Sequence, residues 1–151
     1  MSKVKIFVKS ILIPLVVGGV VGIIMSKAID YNELIKPRLS PPNIVFPIAW
    51  TILYILMGIS YGILDLKGKL DDKSKIIYYI QLFINALWSI IFFNLKWRLF
   101  AAIWIILLAI AVIIVIIDFY SKDKVAGLIQ IPYLLWVLFA TYLNISIVIL
   151  N

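Results

Sequence analysis

Three stretches of this chain repeat large aromatic and polar side chains at helical spacing, and they hold the residue types best suited to bind or transform something. Trp50, Tyr54, Met57 and Tyr61 follow one another at intervals of four, three and four, and Gln81, Asn85, Trp88 and Phe92 do the same. Tyr133, Trp136, Ala140 and Asn144 fall within about 80° of one another at about 100° per residue, so each stripe occupies one helix face. An indole or phenol offers a flat apolar surface with one hydrogen-bonding group at its edge, and an amide offers both a donor and an acceptor. Converging, the stripes would line an apolar cavity suited to a large planar hydrophobic ligand. Two readings stand for Gln81 and Asn85, which cannot face lipid cheaply: they bond a neighbouring helix, or they present polar groups to a ligand. Trp97 and Trp104 read as interfacial or bundle-filling aromatics.

Other chemistry is excluded by what the chain lacks. It has no Cys and no His, hence no disulfide, no zinc site, no thiol or imidazole nucleophile or base, and no imidazole ligand for haem iron. A bound haem could be ligated only by Tyr, Met or water. Its seven carboxylates, Asp30, Glu33, Asp65, Asp71, Asp72, Asp118 and Asp123, fall in loops or at the ends of apolar runs, and no Lys or Arg is central to a run. That removes the usual apparatus of ion-coupled transport and proton relays. No acid–base pair, nucleophile–base pair or Gly-rich phosphate loop is apparent.

The elements that must position the stripes follow from hydropathy. With 151 residues, 65% hydrophobic and 14% charged, and a mean hydropathy of +1.15, the chain has more apolar surface than a small soluble globule could hide. It reads as an all-α integral membrane protein, one domain over residues 1–151 with five transmembrane helices near 6–26, 44–65, 76–95, 99–118 and 125–150. Each run suits a hydrocarbon core about 30 Å thick, within which helices satisfy their own backbone groups. The net charge of +7 sits in short breaks between runs and forms no helical or aromatic-interleaved patch, which argues for membrane topology and against nucleic acid.

The first run follows Lys3, Lys5 and Lys9; it lacks a clean small-x-small cleavage site and reads as a retained helix rather than a signal peptide. Its Gly18 and Gly22 form a G-x-x-x-G pair, read as packing within the bundle in preference to a dimer contact. Residues 27–43 are polar, Pro-rich and long for a connection between spans, as expected of an ordered lid. Ser40 or Asn43 is expected to cap the second helix, with Pro41 and Pro42 in its first positions. The short link at Lys96 and Arg98 makes the third and fourth helices antiparallel neighbours. The fourth run, polar-free, reads as scaffold, and Pro132 frees the carbonyl of Leu128 and kinks the fifth. Nine Lys flank the N-terminus and the second and fourth loops, against five Lys or Arg on the other side. This bias puts the N-terminus in the cytoplasm and the lid and C-terminus outside.

Three segments, LIKPRLSPPNIVFPIAWTILYILMG, QLFINALWSIIFF and AGLIQIPYLLWVLFATYLN, resemble in order and spacing the signature segments of the TspO/MBR family, the tryptophan-rich sensory and translocator proteins. The resemblance covers nearly the whole chain. It implies a membrane protein, commonly a homodimer in the bacterial cell membrane, that binds tetrapyrroles such as protoporphyrin IX and haem, sterols, and benzodiazepine-type ligands beneath the first long loop. Carried onto matching positions, the resemblance places Tyr31, Pro41, Trp50, Asn85, Trp88, Trp136 and Ala140 in the pocket; the stripes add Tyr54 and Asn144. It further implies, for some members, light- and oxygen-dependent porphyrin breakdown that depends on tryptophans at the positions of Trp50 and Trp136. Two departures stand out. Arg38 and Leu39 lie where many members carry an aromatic residue, and no basic residue follows Tyr142 at the distance the family's sterol motif requires. The expectation is thus a tetrapyrrole-binding receptor or sensor, with transport of the ligand as a variant of that reading; the alternatives are an enzyme-like porphyrin photo-oxidase without a metal, and a scaffold whose pocket is incidental.

Overall fold

The computed structural model describes residues 2–25, 34–42 and 44–151; the expectations placed on Tyr31 and Asn43 lie outside these. Helix α1 spans Lys3–Met25, α2 Val45–Leu66, α3 Asp72–Ser89, α4 Arg98–Lys122, α5 Lys124–Ile129 and α6 Ile131–Leu150, with no strand among the described residues. Five stretches are long and apolar enough to cross a membrane, α5 and α6 together making the fifth. The shortest of these, 22 residues, measures roughly 33 Å at 1.5 Å per residue, enough for the hydrocarbon core. The third starts at Asp72 and the fourth continues to Lys122, so these helices run past their apolar runs into polar sequence. Asp71 accounts for one such extension: its carboxylate accepts a bond from Ser74 N at 2.8 Å and caps α3 a full turn before the first apolar residue.

The start of α2 departs from expectation. The helix begins at Val45, not at Pro41 or Pro42, and no side chain among the described residues caps it. A residue before proline is disfavoured in the helical region, which argues against a helix running through Ser40 and Pro41; the first turn forms past Pro42, where Val45 N bonds Pro42 O at 3.0 Å. Ser40 Oγ is buried with no partner among the described residues.

α4 earns the role of scaffold by packing against α3, α5 and α6. Ala101, Ile105, Leu108, Val112, Val115 and Phe119, spaced four and three, are all fully buried, while Leu99, Ile103, Ile106, Ile110, Ile113 and Ile117 are exposed on the outside of the bundle. Lys96, with φ of 60°, turns the chain between α3 and α4, which pack as antiparallel neighbours. Just before that turn, Ile90–Asn94 forms one π-helical turn, with Leu95 N bonding Ile90 O at 3.0 Å. The Pro132 kink is a break at Gln130 between α5 and α6. Across it Gln130 Nε2 donates to Ser60 Oγ at 3.0 Å, and Ser60 Oγ donates to Ala126 O at 2.6 Å, tying α2 to the broken turn.

One end of the bundle is rich in lysine. There Lys67 meets Asp123 at 2.5 Å and Lys122 meets Asp71 at 2.8 Å, while Ser74 Oγ donates to Asp118 at 2.5 Å. The bond from Lys122 holds the Asp71 carboxyl below the usual aspartate range, and the bond from Lys67 does the same for Asp123. At the opposite end lies the described part of the lid, residues 34–42. Its Ile35 backbone is clasped by the Asn151 side chain, which accepts from Ile35 N at 3.1 Å and donates to Ile35 O at 2.8 Å.

α1 and α2 pack closely at the lysine-rich end and part toward the lid. A Cβ at Gly58 would lie 2.4 Å from Cα of Ile11 and 2.7 Å from the carbonyl oxygen of Ser10, so only glycine permits that approach. Nearer the lid, Gly18 meets the ring of Tyr54; beyond it, Gly19 and Gly22 have no neighbour that a Cβ would touch. Of the G-x-x-x-G pair, Gly18 therefore packs within the bundle and Gly22 does not.

Candidate functional site

The three stripes converge. Trp50, Tyr54 and Met57 of α2, Gln81, Asn85, Trp88 and Phe92 of α3, and Tyr133, Ala140 and Asn144 of α6 are all buried; Tyr61 and Trp136 are half-buried. Trp50 is the hub of the aromatic cluster. Its ring lies 5.8 Å from Tyr54, stacked at 28°, and 6.3 Å from Trp88; Trp136 and Tyr133 meet it edge-on at 6.2 and 6.5 Å. Such offset and edge-to-face arrangements match negative ring faces to positive edges.

The amides of the stripes bond neighbouring helices. Tyr54 Oη donates to Asn85 Oδ1 at 2.6 Å, Asn85 Nδ2 donates to Tyr133 Oη at 2.8 Å, and Tyr133 Oη donates to Gln81 Oε1 at 2.7 Å. Every donor in this chain points the same way, which strengthens each bond by polarising the next. Nearer the lid, Trp88 Nε1 donates to Asn144 Oδ1 at 3.0 Å and Asn144 Nδ2 donates to Arg98 O at 2.9 Å. Trp104 is likewise tied, its Nε1 donating to Ile84 O at 2.8 Å. Trp136 differs: its Nε1 is buried without a partner among the described residues.

Where α1 and α2 part, they enclose a cavity of about 340 Å³, at the lower end of the size range of small-molecule sites. Leu15, Gly18, Gly19, Val21 and Gly22 of α1 form one side; Phe46, Trp50 and Tyr54 of α2 form the other; Ser89 of α3 also lines it. Pro47 and Thr51, both exposed, also line it. Of the nine residues expected in a pocket, Trp50 and Tyr54 line this cavity. Trp88 and Trp136 touch the Trp50 ring from behind, and Asn85 touches the Tyr54 hydroxyl. Ala140 and Asn144 lie buried in α6, Pro41 is half-buried in the lid, and none of the three lines the cavity. Trp136 instead lines a shallow apolar groove with Ala49, Leu135 and Phe139 between α2 and α6.

Sequence reasoning left out the α1 wall. That helix carries no polar or aromatic stripe; its signal was the cluster Gly18, Gly19 and Gly22, of which Gly18 admits the Tyr54 ring and Gly19 and Gly22 leave open space. Ser89 was missed for a related reason, since one small hydroxyl beside Trp88 stands out on no face. Among the described residues no group of His, Cys, Asp or Glu could hold a metal ion, so an aromatic, hydrogen-bonded surface is what the site offers a ligand.

Comparison with known proteins gives a consistent result. The sequence pattern of the TspO/MBR family matches residues 10–150. The chain is 41% identical to the tryptophan-rich protein TspO of Archaeoglobus fulgidus, over 95% of each chain. It is 37% identical to the protein CrtK of Rhodobacter capsulatus, over 89% of this chain and 86% of that one. With the human translocator protein it shares 31% identity over 76% of this chain and 70% of the other.

Proposed function

The chain belongs to the TspO/MBR family, and from that premise we propose that it is a membrane receptor or sensor for a planar hydrophobic ligand of the tetrapyrrole class, protoporphyrin IX or haem, held in the cavity between α1 and α2. The observation that carries this reading is the pairing of a glycine wall with an aromatic wall. Gly19 and Gly22, beside Leu15 and Val21, leave room on the α1 side, and Trp50 and Tyr54 line the other with aromatic surface that a conjugated macrocycle could lie against. A cavity of about 340 Å³ takes part of such a ring system, and the exposed Pro47 and Thr51 mark the side from which the remainder meets the bilayer. Benzodiazepine-type ligands, being flat and apolar, suit the same surface. The lysine bias supports an N-terminus on the cytoplasmic side of a bacterial cell membrane with the lid outside, and assembly as a homodimer completes the proposal.

A second reading, porphyrin breakdown driven by light and oxygen, is favoured by one feature. Trp50 and Trp136, both easily oxidised, stand edge to face at 6.2 Å, and Trp50 faces the cavity. Titration of the purified protein with protoporphyrin IX in the dark, followed by irradiation and product analysis, separates the readings. Saturable binding without chemical change supports the receptor, a defined new pigment supports the photo-oxidase, and absence of saturable binding rejects both.

A further inference from the structure

We infer that Tyr54 is a fixed floor that sets how deep and how thick a ligand the cavity accepts, with Asn85 as its positioning residue and Gly18 as the residue that admits it; this rests on the ligand-binding reading above. The Tyr54 ring is held at two places. Its hydroxyl donates to Asn85, which is held from behind by Tyr133, which is held in turn by Gln81, and all four side chains are buried. At its Cδ2–Cε2 edge the ring lies against Gly18, where an added Cβ would come within 2.5 and 2.6 Å of those two atoms. Below it the helices are shut at Gly58, so the ring has no room to sink toward the lysine-rich end. Its face is also stacked with that of Trp50 at 5.8 Å and 28°, which braces the ring from a further side.

A floor held this way selects by shape. A flat conjugated ring fits the space that the fixed Tyr54 ring leaves, whereas a ligand whose substituents stand out of its plane needs the floor to yield. Asn85, although polar and deep in the bundle, then acts on ligands through Tyr54: both ends of its amide are occupied by Tyr54 and Tyr133. This assigns a role to the buried polar chain, which a ligand of purely apolar character would never touch.

The test uses the full-length protein in detergent or nanodiscs with two probes, protoporphyrin IX and tetraphenylporphyrin, whose phenyl rings stand out of the macrocycle plane. Cutting the tether with Tyr54→Phe keeps the ring and frees it, so the preference for protoporphyrin over tetraphenylporphyrin should fall by about fivefold or more. Gly18→Ala drives a Cβ into the tethered ring and should weaken protoporphyrin binding by about tenfold, and Tyr54→Phe added to it should restore most of that loss because the freed ring can move aside. Simple damage to packing would add in the double variant; relief is the signature of a tethered floor. An unchanged preference in Tyr54→Phe, with wild-type binding intact, overturns the floor and leaves the receptor reading standing. Failure of the wild-type protein to bind either probe saturably overturns both. Should Gly18→Ala not fold, the preference measured on Tyr54→Phe decides the matter alone.

Discussion

Two tryptophans in this bundle differ in one bond, and that difference predicts unequal costs for the same substitution. Trp88 is 3% exposed, and its indole N–H donates to Asn144 Oδ1 at 3.0 Å, while the Asn144 amide is fixed by Arg98 O at 2.9 Å. Replacing Trp88 by Phe removes the donor and strands a buried carbonyl oxygen, which costs about 1–3 kcal/mol beyond the loss of ring area. Trp136 already buries its N–H without a partner among the described residues, so Trp136→Phe removes a group that contributes no hydrogen bond and relieves a desolvation penalty. Ring area lost is similar, since both change indole to phenyl. Unfolding in a mixed-micelle SDS titration should therefore show Trp88→Phe less stable than Trp136→Phe by about 1–3 kcal/mol, toward the lower figure because polar contacts between membrane helices average below 1 kcal/mol. A supporting control is Asn144→Leu combined with Trp88→Phe, which replaces both partners and should cost less than the sum of the single changes. Equal stability of the two Phe variants, or a less stable Trp136→Phe, would refute the reasoning, because it would mean that the indole bond to Asn144 contributes nothing to the fold.

Three other outcomes follow from the geometry. If the protein only binds porphyrin, Trp50→Phe and Trp136→Phe should each keep dark affinity within a few-fold, since phenyl retains most of the stacking surface worth about 0.5–1.5 kcal/mol; if it degrades porphyrin through the indoles, irradiated samples of either variant should yield no new pigment. Asn151→Ala removes the two bonds that clasp Ile35, each worth about 1 kcal/mol at an exposed position, and should speed amide exchange across residues 34–42 without moving the unfolding midpoint of the bundle; unchanged exchange there would show that the clasp does not hold the lid. The Asp71 and Asp123 carboxyls have folded-state values below those of a free aspartate, so the stability they contribute is present above the ordinary aspartate range and is lost as pH falls through their lowered values. Carboxyl carbon NMR shifts should place both titrations below a free aspartate in the same buffer, and a midpoint at the ordinary value for either would remove its lysine tie from the account.

The five spans, the aromatic stripes and the all-helical fold were legible in the sequence because each depends on periodicity along one helix. A run of about twenty apolar residues has one way to satisfy its backbone in lipid, and a stripe at spacings of four and three can only share a face. Pro132 was readable for the same reason, since a missing N–H acts on its own helix. The start of α2 was misjudged locally: Pro41 and Pro42 fit the first turn by type, yet their effect on the residues before them delays the helix to Val45. The partners of the polar groups were beyond reading. Asn85 could have turned to a ligand or to another helix, and only the packed bundle puts Tyr54 and Tyr133, 31 and 48 positions away, at either end of its amide. The cavity too belongs to tertiary structure. The sequence marks Trp50 and Tyr54 as one wall, but the space beside them exists because α1 closes on α2 at Gly58 and parts from it past Gly18, a divergence of two helices that no pattern within either one encodes.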